Sequence, residues 1–203
     1  NELRSRAFKR TIQTVIYFPY FLSWIILAGV FTDILSPTDG VVNQILKTVG
    51  MEPIYFLGDK QWFPVTMIIT DVWKGFGFGT IVYLAAITGI DPTLYEAAEI
   101  DGASRWRQTW HITLPGLIPT VVLLMTLAMG NVLNAGFDQV FNMYNNIVLE
   151  TADIIDTYVY RLGLVNLQFS MSTAAGLFKS VVSFILVVTS YTLAYKFADY
   201  TIF

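Results

Sequence analysis

Four long apolar runs constrain this chain more than any other feature of its sequence. They extend from Thr11 to Leu35, from Trp62 to Ile90, from Leu117 to about Phe137, and from Ala174 to about Ala198. Each contains the roughly 20 mainly apolar residues that a helix needs to cross a bilayer. The period-2 alternation of barrel strands is absent, and a helix satisfies its own backbone hydrogen bonds in lipid. We therefore predict an all-α membrane protein, a bundle of four transmembrane helices.

The composition agrees with a membrane protein and excludes several other classes. Hydrophobic residues make up 55% of the 203 residues and charged residues 13%, whereas an ordinary soluble domain is about 25% charged. The chain has no cysteine and one histidine, which excludes disulfides, thiolate ligands, cysteine nucleophiles and multi-histidine metal sites. A net charge of −3 without a basic stripe gives no reason to expect nucleic acid as a partner.

The distribution of lysine and arginine predicts the orientation, because these residues accumulate in cytoplasmic flanks. Basic residues lie in the N-terminal flank, the middle connection and the C-terminal flank: Arg4, Arg6, Lys9, Arg10, Arg105, Arg107 and Lys196. The two other connections contain only Lys47 and Lys60 in one and Arg161 in the other, alongside the acidic residues Asp39, Glu52, Asp59, Glu150, Asp153 and Asp156. We predict that both ends of this sequence and the middle connection are cytoplasmic.

The two connections predicted to lie outside the cytoplasm, residues 36 to 61 and 138 to 173, are called the outer connections. Local patterns add four expectations for the spans and for these connections. Pro19 should kink the first span, and Gly75 with Gly79 should permit close helix packing. In the outer connections, Val41 to Val49 is predicted to form a short interfacial helix. Residues at about 151 to 163 have the helical spacing of an amphipathic helix.

The middle connection, residues 91 to 116, is the most polar part of the chain. Asp91-Pro92 is a strong helix start, since aspartate caps free N–H groups and proline fits the first turn. A short helix should continue through Glu99 and end at Gly102, a residue suited to a left-handed turn. Ser104 should cap a second short helix from Arg105 to His111, after which Pro115 and Pro119 lead into the third span.

The order and spacing of residues in this connection carry a family resemblance. The matching positions are Glu96-Ala97-Ala98, Asp101-Gly102-Ala103, Ile112, Leu114-Pro115 and Pro119. This pattern resembles the EAA loop of type I importer permeases of the ATP-binding cassette class. Nearly the whole chain is similar to the subgroup that imports oligosaccharides or polysaccharides, which includes alginate-type and polygalacturonan-type systems.

The resemblance implies a MetI-like transmembrane bundle in which the middle connection is a cytoplasmic coupling loop. Members of the family have one or two further N-terminal helices, so residues 1–203 are expected to be a partial transmembrane domain, with 91–116 as its coupling loop. The coupling residues carried over from the family are Glu96, Ala97, Ala98, Asp101, Gly102, Leu114 and Pro115. By this resemblance, the carboxylate of Glu96 would pair with a basic residue of the ATPase. Ala97 and Ala98 would pack in a groove of the ATPase, and Gly102 would permit the turn between the two short helices.

The resemblance also implies a transport subunit rather than an enzyme, located in the bacterial inner membrane. The expected partners are a second homologous permease, a cytoplasmic ATPase dimer, an extracytoplasmic solute-binding protein, an oligosaccharide and membrane lipid. No cofactor is expected on this chain, because the partner ATPase uses the ATP and Mg²⁺. The cargo is expected to be a saccharide, and an acidic, alginate-like one is among the candidates.

Polar residues within the spans are candidates for the substrate pathway, because an intramembrane charge usually faces a cavity or the bundle interior. Asp71 and Lys74, at i and i+3 in the second span, either neutralise each other or line the pathway. Asn131 and Asn134, followed by Asp138, lie where the family places substrate or gate contacts. Interhelical hydrogen bonding is the alternative role for the asparagines.

Two other functional classes compete with the permease hypothesis. An ion-gradient-driven secondary transporter would use Asp71 as its proton or sodium group, but no interrupted helix pair is repeated in two halves. A membrane-embedded enzyme would need a nucleophile, a metal site or paired carboxylates, and no such set converges in the sequence.

Overall fold

A computed structural model describes residues 6–198, which form helices, turns and loops without a strand. Arg4 of the predicted basic N-terminal flank lies outside the described residues. By length and composition, three described helical segments could cross a membrane: Trp62–Thr88, Arg105–Gly130 and Phe169–Leu193. The number rises to four if the bent pair Arg10–Phe21 and Trp24–Ile34 counts as one span. The prediction of an all-α protein with four apolar spans agrees with this architecture.

The first predicted span is broken, not merely kinked. Helix α1 (Arg6–Tyr17) continues into a 3₁₀ turn, Phe18–Phe21, and α2 covers Trp24–Ile34. The two helical pieces meet at 102°. Pro19 lies in the 3₁₀ turn, and Ser23 has an extended backbone while its hydroxyl accepts a hydrogen bond from Ile26 N–H. The chain therefore stops one helix and caps a new one, which a single apolar run did not reveal.

The remaining helices have the following bounds. They are α3 (Val41–Thr48), α4 (Trp62–Thr88), α5 (Pro92–Ile100), α6 (Arg105–Gln108), α7 (Leu114–Gly130), α8 (Phe137–Met143), α9 (Leu149–Ala152), α10 (Ile155–Tyr160) and α11 (Phe169–Ala198). Short π-helical turns occupy Thr109–Thr113 and Arg161–Val165. The predicted interfacial helix is α3, and the predicted second span is α4.

The chain divides into two compact units, Asn1–Phe78 with Asn134–Lys179, and Gly79–Leu133 with Ser180–Phe203. The first unit contains a small apolar core, whose fully buried residues include Leu27, Phe63 and Val148. Buried polar groups join its elements. Gln139 donates from Nε2 to the Met67 carbonyl and to Thr70 Oγ1, each at 2.8 Å. These two bonds fasten α8 to α4.

Ion pairs hold the second outer connection, which also belongs to the first unit. Arg161 bonds both carboxylate oxygens of Asp153, and Lys179 donates to Asp156 at 2.5 Å. The predicted amphipathic helix at about 151 to 163 is not continuous, because Asp153 has an extended backbone between α9 and α10. Its carboxylate accepts from Thr157, which fixes the start of α10.

In the second unit, the third span differs from its predicted bounds at both ends. The helix runs without interruption from Arg105 to Gly130, through a π-helical turn, so the predicted second short helix is the first part of this span. It ends at Gly130 and not near Phe137. Residues 131 to 136 are non-helical. Glycine at 130 and 136, with Asn131 and Asn134 between them, explains this end, because these residues favour turns.

Close helix packing occurs at a glycine other than the predicted pair. In the first unit, a Cβ added at Gly77 would lie 2.2 Å from the Ile16 carbonyl oxygen, so only glycine lets α1 approach α4 here. A Cβ added at Gly75 or Gly79 would meet no atom of the described chain within 4 Å. Within the described chain, close packing is therefore seen at Gly77, while the packing predicted for Gly75 and Gly79 stays a prediction.

Candidate functional site

The connection between α4 and α7 forms a capped short helix, as its sequence predicts. Helix α5 has nine residues and is therefore about 14 Å long. The Asp91 carboxylate accepts a hydrogen bond from Thr93 N–H at 2.9 Å, and Pro92 occupies the first turn. Hydrogen bonds from Thr93 hold the pKa of the Asp91 carboxyl below its ordinary value. The cap is therefore negatively charged at neutral pH, which suits the positive end of the helix dipole.

A glycine turn ends α5 with the hydrogen bonds of a Schellman motif. Ala103 N–H bonds the Ala98 carbonyl at 2.8 Å, and Gly102 N–H bonds the Glu99 carbonyl at 3.0 Å. Gly102 has φ +72°, a left-handed conformation in which side chains with a Cβ are strained. A Cβ there would meet nothing within 4 Å. The backbone conformation, and not crowding, therefore requires glycine at this position.

After the turn, the chain enters the helix that becomes the third span. Ser104 accepts from Arg107 N–H through its hydroxyl, at 3.4 Å, as predicted for a cap. The Tyr95 hydroxyl and Thr113 Oγ1 share a hydrogen bond of 2.9 Å. Gln108 donates to the Ala103 carbonyl at 3.3 Å. These bonds connect α5 and its turn to the following helix.

One side of α5 faces a hollow of about 240 Å³, whose lining includes Ala98, Asp101, Arg107 and His111. The hollow brings two predicted coupling residues, Ala98 and Asp101, next to a basic side chain. Sequence reasoning did not assign Arg107 or His111 to this site. His111 Nδ1 lies 2.9 Å from the Arg107 carbonyl oxygen, one helical turn earlier.

The other side of α5 is open. None of its residues is buried, and Ile100 is 87% exposed. Glu96 and Ala97 are both exposed. Leu114 and Pro115 begin α7 and are exposed as well. The arrangement presents a short apolar surface with two exposed carboxylates, those of Glu96 and Glu99, next to a hydrogen-bonded glycine turn.

Asp71 lines a cavity of about 420 Å³ in the first unit. The other polar residues there include Asn134 and Gln139, while Phe63, Met67 and Ile68 contribute apolar surface. Gln139, which sequence reasoning missed, is buried and uses its amide N–H groups to join α8 to α4. The available signal was an amide side chain beside Asp138, in a segment whose other residues, Phe137, Val140 and Phe141, are apolar.

Lys74 lines a different cavity of about 440 Å³, also in the first unit, together with Asp138 and Asn142. Its ammonium donates to the Tyr20 carbonyl at 3.0 Å. It also lies 5.2 Å from the ring centre of Tyr20 and 5.5 Å from that of Trp24. In the part of the chain that the structure describes, Lys74 makes no ion pair with Asp71, which corrects the hypothesis of mutual neutralisation.

The two asparagines do not share a helical face. Asn131 is the C-cap residue of α7, and its N–H bonds the Ala128 carbonyl at 3.0 Å. Asn134 lies in the following non-helical segment and lines the Asp71 cavity. Their predicted i, i+3 relation within the third span was therefore wrong, because that helix ends at Gly130.

The family profile described as "Binding-protein-dependent transport system inner membrane component" matches residues 1–199. The chain belongs to this family. Its members are transport subunits, which agrees with the prediction that the chain is not an enzyme and that it is an inner-membrane component.

Curated and solved members of the family resemble the chain closely. The polygalacturonan/rhamnogalacturonan transport system permease protein YteP of Bacillus subtilis is 45% identical over 199 residues, which are 98% of this chain and 62% of that protein. The crystal structure of a bacterial ABC transporter involved in the import of the acidic polysaccharide alginate contains a chain with 41% identity and a TM-score of 0.92. The alignment covers 97% of this chain and 69% of that one.

A second crystal structure shows the alginate transporter in complex with a periplasmic protein that carries an alginate pentasaccharide. One of its chains matches with 40% identity and a TM-score of 0.93, over 99% of this chain and 70% of that one. The MetI-like fold and the saccharide-permease relationship predicted from the sequence are thus confirmed. The chain spans 62% of the length of YteP.

Proposed function

We propose that this chain is the greater part of a permease subunit of an ATP-driven, binding-protein-dependent saccharide importer. The observation that carries the proposal is α5 with its glycine turn: a capped, exposed helix between two apolar spans, in a chain of this family. The backbone ends of α5 are capped within the connection, and none of its residues is buried against the rest of the chain. Its exposed surface is therefore available to another subunit.

The proposed partner of that surface is an ATPase subunit on the cytoplasmic side. The exposed carboxylate of Glu96 would pair with a basic residue, because hydrogen bonds between ionised groups are stronger than neutral ones. The small side chains of Ala97 and Ala98 would allow a groove wall to approach closely. Asp101, Gly102, Leu114 and Pro115 would fix the direction in which α5 leaves the membrane helix.

Closure of an ATPase dimer on ATP would then move α5 and bias the spans between inward-facing and outward-facing states. A ligand shifts such an equilibrium only by its different affinity for the two states. ATP and Mg²⁺ would be bound by the ATPase and not by this chain. A second permease of the same family and an extracytoplasmic binding protein would complete the assembly.

The proposed orientation places both ends of this sequence and α5 in the cytoplasm, across a bacterial inner membrane. The basic flanks support this orientation. The saccharide class rests on the similarity to the YteP and alginate-transporter permeases. The proposed pathway residues within the chain are those that line the two cavities of the first unit, Asp71, Asn134, Lys74 and Asp138. Asn131 stays a prediction.

Uptake into proteoliposomes tests the proposal against an ion-gradient transporter. The subunit is reconstituted with the second permease and the ATPase that copurify with it, and labelled saccharide is supplied with its binding protein. We expect uptake to require ATP and to persist when a protonophore removes the proton gradient. Uptake in vesicles that lack the ATPase would overturn the proposal.

A further inference from the structure

Lys74 places a positive charge about midway along α4, a helix long and apolar enough to cross a membrane. A charge at that depth in a membrane span is costly unless it faces a partner or a water-filled cavity. Lys74 lines a cavity of about 440 Å³. This size lies within the range of small-molecule sites.

The ammonium group of Lys74 is positioned but not neutralised. An ammonium has three N–H donors, and one of them bonds the Tyr20 carbonyl at 3.0 Å. The rings of Tyr20 and Trp24 lie within cation–π distance on neighbouring elements. No carboxylate of the described chain comes within ion-pair distance. Backbone and ring contacts hold the cation in place and leave its charge available to an anion.

The rest of the cavity wall has the groups that a sugar ring needs. Trp24 and Phe141 supply aromatic surface, and Ser23 and Asn142 supply polar groups. The Asn142 amide donates to the Asp138 carbonyl at 2.7 Å, which fixes the direction of its side chain. Asp138 also lines this cavity. Its carboxylate repels a carboxylate of the ligand, whereas the Lys74 ammonium attracts one. A ligand with a carboxylate is therefore expected to bind with that group at Lys74.

We infer that this cavity is a subsite for a carboxylate-bearing saccharide, with Lys74 as the residue that selects an acidic sugar over a neutral one. The inference rests on the proposed function and names the substrate class of that pathway. A uronate carboxylate at Lys74 forms a charge-assisted hydrogen bond, worth about 1.5–3 kcal/mol, which corresponds to roughly tenfold or more in affinity. A neutral saccharide of the same size obtains only the ring and amide contacts.

The experiment measures equilibrium binding to the purified permease–ATPase complex without its binding protein, because that protein makes its own selection. The two probes are an oligogalacturonate of defined length and the same oligosaccharide with its carboxyl groups reduced to alcohols. We expect the acidic probe to bind about tenfold more tightly or better. We also expect the difference to shrink as salt is raised, because ions screen the attraction.

Two lysine variants locate the effect. Lys74→Gln should remove the preference for the acidic probe, and Lys74→Arg should retain most of it. Lys60→Gln is the matched control, since Lys60 is an exposed lysine that pairs with Glu150 outside the cavity. Size-exclusion chromatography of each variant complex establishes that it assembles.

Equal binding of the two probes to the unmutated complex, no binding of either, or an unchanged preference in assembled Lys74→Gln would overturn the inference. The comparison of probes on the unmutated complex keeps the test decisive if Lys74→Gln does not assemble. The proposed function fails in a different way, by uptake without the ATPase, so the two failures are distinguishable.

Discussion

At the scale of single residues, Asn43 is a buried polar residue, 0% exposed, whose side chain forms hydrogen bonds through both its nitrogen and its oxygen. Its amide donates to the Ser36 and Ile54 carbonyls at 3.0 and 2.9 Å, and its oxygen accepts from Ile54 N–H at 2.8 Å. These bonds tie the two halves of the first outer connection to one side chain. The sequence did not distinguish Asn43 from other asparagines, because the residues that its side chain bonds lie up to eleven positions away.

Replacing Asn43 should therefore destabilise the protein. Asn43→Ala leaves the Ile54 N–H and nearby carbonyl groups without their buried partner, and we expect a loss of about 1–3 kcal/mol in the free energy of unfolding. Gln44→Ala is the matched control, because Gln44 is exposed and donates to Asp39. Thermal unfolding of the purified protein measures both, and equal stability of the two variants would contradict this role.

Asp153 gives the outer connection a pH dependence. Partial burial raises the pKa of its carboxyl, but hydrogen bonds from Arg161 and Thr157 outweigh burial and lower it below the ordinary value. A carboxyl with a depressed folded-state pKa stabilises the protein above its unfolded value, near pH 4. That contribution is lost as the pH falls through the lower folded value.

The comparison of wild type with Asp153→Asn tests this dependence. We expect the difference in melting temperature between them to be greatest near neutral pH and to shrink below about pH 4, as the carboxyl of the wild type becomes protonated. Melting curves from pH 3 to pH 7 measure the difference. A difference that stays constant over this range would show that Asp153 acts through packing and not through its charge.

At the scale of secondary-structure elements, α1 and α4 touch where Gly77 meets Ile16. Gly77→Ala would place a Cβ 2.2 Å from a carbonyl oxygen, and overpacking of this kind costs about 1–3 kcal/mol. Gly75→Ala, two residues away, should be neutral or slightly stabilising, since space is open there and alanine favours a helix by roughly 0.5–1 kcal/mol over glycine. Unfolding of both variants in detergent gives the comparison, and a reversed order would contradict the packing.

The elements predicted correctly from the sequence are those determined by local chemistry. The Asp91 and Ser104 caps and the left-handed Gly102 all appear where residue type alone places them. The errors occur where a local change of backbone conformation ends a helix inside an apolar run. The break near Ser23, the extended Asp153 and the end of α7 at Gly130 all interrupt runs whose apolar pattern continues.

The candidate site residues also differ in how far the sequence alone could identify them. The proposed coupling residues follow one another along the chain, so their order and spacing were enough to predict them. The cavity residues come from α2, α4 and α8, and no single segment contains their pattern. Lys74 drew attention as a charge in an apolar span, but its contact with Tyr20, 54 positions earlier, could be found only in the folded chain.

At the scale of the whole molecule, the proposed coupling loop and the two cavities belong to different compact units. The loop lies within Gly79–Leu133, and the cavities lie within Asn1–Phe78 with Asn134–Lys179. Helix α4 is continuous between the units, because Phe78 and Gly79 are both in its interior.

The ratio of ATP hydrolysed to saccharide imported tests the central claim, that α5 and its glycine turn couple the two processes. Gly102→Val strains the turn, because a β-branched residue is disfavoured at positive φ. Gly50→Val is the matched control: Gly50 has φ +80°, equally open space where a Cβ would lie, and a place in the connection between α3 and α4.

In proteoliposomes with equal amounts of assembled complex, we predict that Gly102→Val raises the ATP hydrolysed per saccharide severalfold, while Gly50→Val keeps the wild-type ratio. An unchanged ratio in Gly102→Val, or an equal rise in both variants, would contradict the coupling role of the turn.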